Sequence, residues 1–119
     1  MFEEMLYSRL STVAQNVYPN VAPNNYKTPC AVYQVLETET FNDLDGYSPE
    51  AFVTVQISVS STVYKEAKTL ARAIRNDLRD WQRDEVSAAS WMNEVVAVDN
   101  STDITLHRIM LFFKFFVAD

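Results

Sequence analysis

A chain of 119 residues, 48% apolar and 22% charged, has room for one domain with a substantial core and lacks the polar excess of a disordered chain. Its one glycine (Gly46), one cysteine (Cys30) and one histidine (His107) exclude glycine-rich phosphate loops, an internal disulfide, a cysteine-built zinc site and most acid–base constellations. The net charge of −6 opposes general affinity for nucleic acid, where phosphate contacts dominate.

Residues 2–17 place Phe2, Met5, Leu6, Leu10, Val13, Ala14 and Val17 at helical spacing, with Glu3 and Glu4 near the positive end of the dipole. Tyr18-Pro19 ends this helix, and residues 19–29, with three prolines and three asparagines, form an irregular connection. Residues 31–37 favour a strand. Residues 51–60 alternate: Ala51, Val53, Val55, Ile57 and Val59 share one face, and Thr54, Gln56, Ser58 and Ser60 the other. Asp45-Gly46 lies midway as a two-residue turn. Pairing through that turn without a bulge sets Val32 opposite Val59 and Leu36 opposite Val55, with Pro49 loosening the outer part of a long projecting hairpin.

Residues 62–83 predict the clearest helix, with Val63, Ala67, Leu70, Ala71, Ile74, Leu78 and Trp81 in one apolar stripe and Ser61 or Thr62 as its N-cap. Residues 91–98 read as a strand, 99–103 as a turn and 104–117 as the last strand, which pairs with the one before it. That last strand is apolar on both sides: Ile109, Leu111, Phe113, Phe115 and Val117 on one, Met110, Phe112 and Phe116 with Lys114 on the other. A sheet solvated on one face alternates apolar with polar, so both faces are expected to be covered, by this chain's helices or by a neighbouring subunit. The expected fold is α+β, ordered α-β-β-α-β-β: N-terminal helix, long β-hairpin, amphipathic helix and C-terminal β-hairpin, in a mainly antiparallel sheet packed on helices. Residues 1–119 are read as a single domain.

The first fifteen residues lack the basic-then-apolar pattern of a signal peptide. The longest apolar run, 109–118, contains Lys114 and falls short of the roughly 18 residues that span a bilayer. Both features point to a soluble protein of a reducing cytoplasm with no membrane partner.

Charge on the second helix is sided. Lys65, Lys68, Arg72, Arg75, Arg79 and Arg83 recur at three- and four-residue spacing and form one stripe, while Glu66, Asp77, Asp80 and Asp84 lie on the opposite flank. Two readings stand: a solvated helix of mixed charge, or a head-to-tail subunit interface in which one copy's basic edge meets another's acidic surface. A nucleic-acid groove is a weaker third, because acids on the same helix offset most of its charge. The hairpin segment is acidic throughout, with Glu37, Glu39, Asp43, Asp45 and Glu50. Such a loop is either solvated or faces a channel through which DNA passes without sticking. The ligand spacing of a calcium loop is absent, Cys30 reads as a small core residue, and His107 reads as a packed or surface histidine. No catalytic, metal or cofactor-binding residues emerge.

Three stretches resemble the tail-terminator, or tail-completion, proteins of long-tailed phages. The first is Val17-Tyr18-Pro19 leading through Pro23 and Pro29 to Val32-Tyr33-Gln34. The second is Val55-Gln56-Ile57-Ser58-Val59 running into Tyr64, Glu66-Ala67, Leu70-Ala71, Ile74-Arg75 and Leu78. The third is His107-Arg108 opening an aromatic terminal strand. The resemblance implies a non-enzymatic virion protein without cofactors, built as a hexameric ring on the finished tail tube. Such a ring ends tube growth and offers the docking surface for the head's connector or stopper protein, with DNA passing through its lumen. It forms in the host cytoplasm and stays in the virion's tail or neck. The rival readings are another neck, connector or tail-assembly protein, and a small binding or enzyme domain unrelated to phages, which would need a polar pocket with convergent titratable groups.

Overall fold

A computed structural model describes residues 2–43, 46–81, 86–100 and 103–118. In chain order they form α1 (Phe2–Ser11), β1 (Val17–Pro19), β2 (Cys30–Asp43), β3 (Gly46–Ser61), α2 (Tyr64–Arg79), β4 (Val86–Asp99) and β5 (Leu106–Ala118). The fold is α+β as expected, with one further strand, giving α-β-β-β-α-β-β. The five strands make one sheet of order β1-β2-β3-β5-β4, antiparallel except where β1 lies parallel to β2.

The first helix is shorter than its periodicity predicts. It stops at Ser11, where the Ser11 hydroxyl donates to the Tyr7 carbonyl (2.8 Å) and the Thr12 hydroxyl to that of Arg9 (2.7 Å). Hydroxyls that capture helix carbonyls compete with the main-chain ladder. The chain then straightens, and Val17, β-branched and read as helical, pairs with Ala31 as the start of β1. Its burial survives the change of structure: Phe2, Leu6, Leu10, Ala14 and Val17 all lie in the core.

The β2–β3 hairpin forms, and Ala51, Val53, Val55, Ile57 and Val59 all turn into the core. Its register departs from the bulge-free expectation. Ala31, not Val32, opposes Val59, and Val35, not Leu36, opposes Val55, because a bulge between Val35 and Glu37 leaves Leu36 out of register and 46% exposed. Beyond the bulge Glu37 faces Thr54 and Glu39 faces Phe52. A second irregularity, between Thr40 and Asn42, lies opposite Pro49, which cannot donate to the ladder. Gly46 belongs to β3, paired with Asp43, rather than to the turn; Asp45 lies outside the described residues.

The α2 stripe is buried at Ala67, Ala71, Ile74 and Leu78, with Leu70 packed against the core and Val63 exposed. The helix starts later than predicted. Val63 is extended and occupies the cap position, while the buried Ser61 hydroxyl accepts from the Val63 N–H (3.1 Å) and donates to Glu66 (3.1 Å). It also ends sooner, at Arg79, although Trp81 remains buried. Arg83 and Asp84 lie outside the described residues, as do Ser101 and Thr102 of the predicted turn.

The fourth strand begins at Val86, earlier than expected, and β5 begins at Leu106, after an exposed Ile104. Because β5 runs between β3 and β4, its inward row of Ile109, Leu111, Phe113, Phe115 and Val117 is the centre of the core. Burying each such side chain contributes about 1.5–3 kcal/mol. Trp81 and Phe2 close one end of this core on Phe115, with ring centroids 5.7 and 5.2 Å away. Both helices lie on this inner face.

Candidate assembly surfaces

The sidedness of α2 persists in three dimensions, and several of its charges hold the fold. Lys68 pairs with Glu94 on β4 (3.1 Å), and the Arg75 guanidinium stacks 4.6 Å over the Trp91 ring, so the basic stripe runs along the β4 side of the helix. Arg75 Nε and Trp91 Nε1 are both buried without a hydrogen-bond partner among the described residues. On the opposite flank Asp77 receives Arg9 from α1 (2.9 Å). Glu66 is engaged by Ser61, and Arg79 and Asp80 approach at 4.0 Å in the open. Lys65 and Arg72 are exposed and make no ion pair among the described residues.

The acidic segment falls on the outer half of the hairpin. Glu37 and Glu39 are exposed and share the outer sheet face with Thr54 and Phe52. Glu50 is exposed on β3, and the backbone of Asp43 closes β2. This arm contributes to an elongated body of 57 × 24 × 24 Å.

The outer face carries what periodicity could only flag as surplus. Phe41, Phe52 and Phe116 form an aromatic cluster with centroids 5.0–6.3 Å apart, and the Lys114 ammonium sits 4.6 Å over Phe52. Among the described residues both helices lie on the inner face of β5, and no helix covers this outer one. Nearer the opposite end, residues 20–26 and the outer face bound a cleft of about 320 Å³ reached by Tyr26, Gln34, Gln56 and Arg108. Cys30 lines this cleft while buried; burial pushes its thiol pKa up, and the Arg108 charge pulls partly the other way. His107 meets Tyr64 edge-on at 5.6 Å. Among the described residues, no group of three or more His, Cys, Asp or Glu side chains could hold a metal ion.

Two features escaped sequence reasoning. Phe41 joins the aromatic cluster, which its place beyond the predicted strand concealed. The edge strand β4 exposes Met92, Val95, Val96 and Val98 at 41–54%. The run Val95-Val96-Ala97-Val98, without a polar residue to alternate, was the signal for the second.

Comparison with known proteins gives a family from the sequence and a fold from the structure. Residues 6–118 match the family model described as tail completion protein gp17. A chain from the virion of a native gene transfer agent particle superposes with a TM-score of 0.70 at 20% identity, over 92% of this chain and 84% of that one, which establishes a common fold. No curated protein matches the sequence.

Proposed function

We propose, from the premise that this chain belongs to the family of tail completion protein gp17, that it closes the end of a phage tail tube as a ring of identical subunits. A tail completion protein is a structural component of the virion tail, not an enzyme. The finer reading is a hexamer in which residues 1–119 act as one domain. It caps the finished tube protein, ends tube growth, and presents the surface on which the head's connector or stopper protein docks. Assembly takes place in the host cytoplasm, and the ring remains in the neck of the virion.

The observation that carries this reading is the separation of charge between two parts of one subunit. The arm with Glu37, Glu39 and Glu50 is acidic, and the α2 edge with Lys65, Lys68, Arg72, Arg75 and Arg79 is basic. Unlike patches on one molecule satisfy each other head to tail, and a head-to-tail contact that closes on itself is a ring. Glu66, Asp77 and Asp80 supply acid on the other α2 flank for the same contact. The arm reaches a neighbour, the tube or the lumen, where the acidic segment, which in sequence also includes Asp43 and Asp45, would repel passing DNA.

Light scattering on the purified chain, with and without tail tubes, tests it. Six copies of 13.7 kDa give a species of roughly 80 kDa, free or tube-bound. Deletion of the gene should yield overlong tails or tails without heads. A chain that stays monomeric and ignores tube ends would sink the reading.

A further inference from the structure

Resting on the ring reading, we infer that neighbouring copies join by strand addition: the open edge of β4 in one copy pairs antiparallel with the open edge of β2 in the next. The sheet ends in two unfinished edges. Among the described residues β4 has no strand on its outer side, and β1 covers only Ala31–Tyr33 of β2, so β2 from Gln34 to the arm is bare. Sheet edges of self-sufficient proteins are guarded by lysine, proline or inward charges, because unpaired N–H and C=O groups recruit other strands. From Trp91 to Asp99, β4 contains no lysine, arginine or proline, and its inward charge, Glu94, is taken up by Lys68 of the same copy at 3.1 Å. Val95 on the outer face and Val96 and Val98 on the inner are 41%, 48% and 54% exposed, so this stretch is apolar on both sides. Leu36 and Phe41 offer matching apolar surface on the arm.

Strand direction supplies the geometry. Three antiparallel steps separate β2 from β4 through β3 and β5, so the two edge strands run in opposite senses. A second copy displaced sideways without being turned over, and slid along the strands by the rungs that separate Thr54 from Ser60, therefore sets its Glu37–Glu39 stretch antiparallel to β4 around Ala97 with like faces on the same side. This is the head-to-tail relation a ring requires.

Charge selects the second copy as occupant. Glu37 and Glu39 project from the outer face of the arm. Arg108, whose side chain is 46% exposed, projects from the same face, directly across from Ala97 on β4, and its pairing with Asp99 is long at 3.9 Å. The small Ala97 side chain leaves the guanidinium room to reach carboxylates on an added strand. The arm thus brings acid to the edge that carries base.

The test uses two full-length variants with substitutions only at exposed positions, Glu37→Lys/Glu39→Lys on the arm and Val96→Lys/Val98→Lys on the edge, followed by sedimentation under conditions where the wild type assembles. Each variant alone should remain at 13.7 kDa. Their mixture, in which one intact edge meets one intact arm, should stop at two copies, about 27 kDa. Circular dichroism checks folding. Should either variant fail to fold, Arg108→Glu replaces it: this change should abolish assembly, and Glu37→Arg/Glu39→Arg in the same chain should restore it. Variants that assemble like the wild type, or a mixture with no two-copy species, would overturn strand addition while leaving the ring standing. A wild type monomeric even on tubes would remove both.

Discussion

Arg9 on α1 places its Nε 2.9 Å from the carboxylate of Asp77 on α2, and its terminal nitrogen donates to the Asp77 carbonyl at 3.3 Å. Its guanidinium also lies 5.1 Å over Trp81. One side chain thereby fastens the short first helix to the second at the end where Phe2, Trp81 and Phe115 meet. The side chains are 28% and 31% exposed, so solvent screens the pair only in part. A double-mutant cycle on Arg9→Ala and Asp77→Ala should give a coupling of about 1 kcal/mol in urea unfolding, near the upper end for ion pairs at a surface. Arg9→Ala should cost more than Asp77→Ala, because it also uncovers the Trp81 ring. A coupling of zero would mean the contact holds nothing.

Phe115 and Phe116 are adjacent in sequence and answer to different constraints. Phe115 is fully buried beneath both helices, so Phe115→Ala should destabilise by about 3–5 kcal/mol. Phe116 lies half-buried in the outer cluster with Phe41 and Phe52, and Phe116→Ala should cost only about 1 kcal/mol. Chemical denaturation of the two variants separates the faces of β5. Equal losses would show that the outer face is as well packed as the inner.

How far the sequence could be read follows the range of the interactions involved. The α2 stripe and the β3 alternation rest on near neighbours, and every β3 position read as inward is buried. The bulge at Leu36 depends on how two strands meet, and nothing within β2 announces it. β1 was hidden for a similar reason: three residues ending in proline form a strand only because Ala31–Tyr33 lie alongside. Among charges, the two-sided layout of α2 was legible from spacing. That Asp77 would meet Arg9, sixty-eight positions away, or that Lys68 would meet Glu94, was not.

Alkaline pH should weaken the fold through two buried groups. Burial raises the pKa of the Cys30 thiol, against the partial pull of Arg108, and that of the Tyr33 hydroxyl, where Glu3 and Tyr7 add to the effect. Each folded-state pKa lies above its unfolded value, so the unfolded chain releases its proton first. Stability is then complete below the ordinary thiol range, near about pH 8.5, and falls as pH climbs through it and through the phenol range near about pH 10. Urea midpoints across that interval should decline, and the Cys30→Ala variant should decline less over its lower part. A midpoint unchanged up to the phenol range would contradict the Cys30 contribution.

Lys65 and Arg72 separate folding from assembly. Both are exposed on the basic edge of α2 and make no ion pair among the described residues, unlike Lys68 and Arg75, which brace β4. Lys65→Glu/Arg72→Glu should therefore leave unfolding free energy within about 0.5 kcal/mol per site, as surface substitutions do. If the basic edge meets an acidic neighbour, the same change puts like charges in contact, and ring formation should be lost. Moderate salt should weaken wild-type assembly in parallel, since screening acts over about 8–10 Å at ordinary ionic strength. Scattering and thermal melting on one sample read both properties. A variant that melts early would assign these side chains to the fold, and one that assembles normally would move the subunit contact away from this edge.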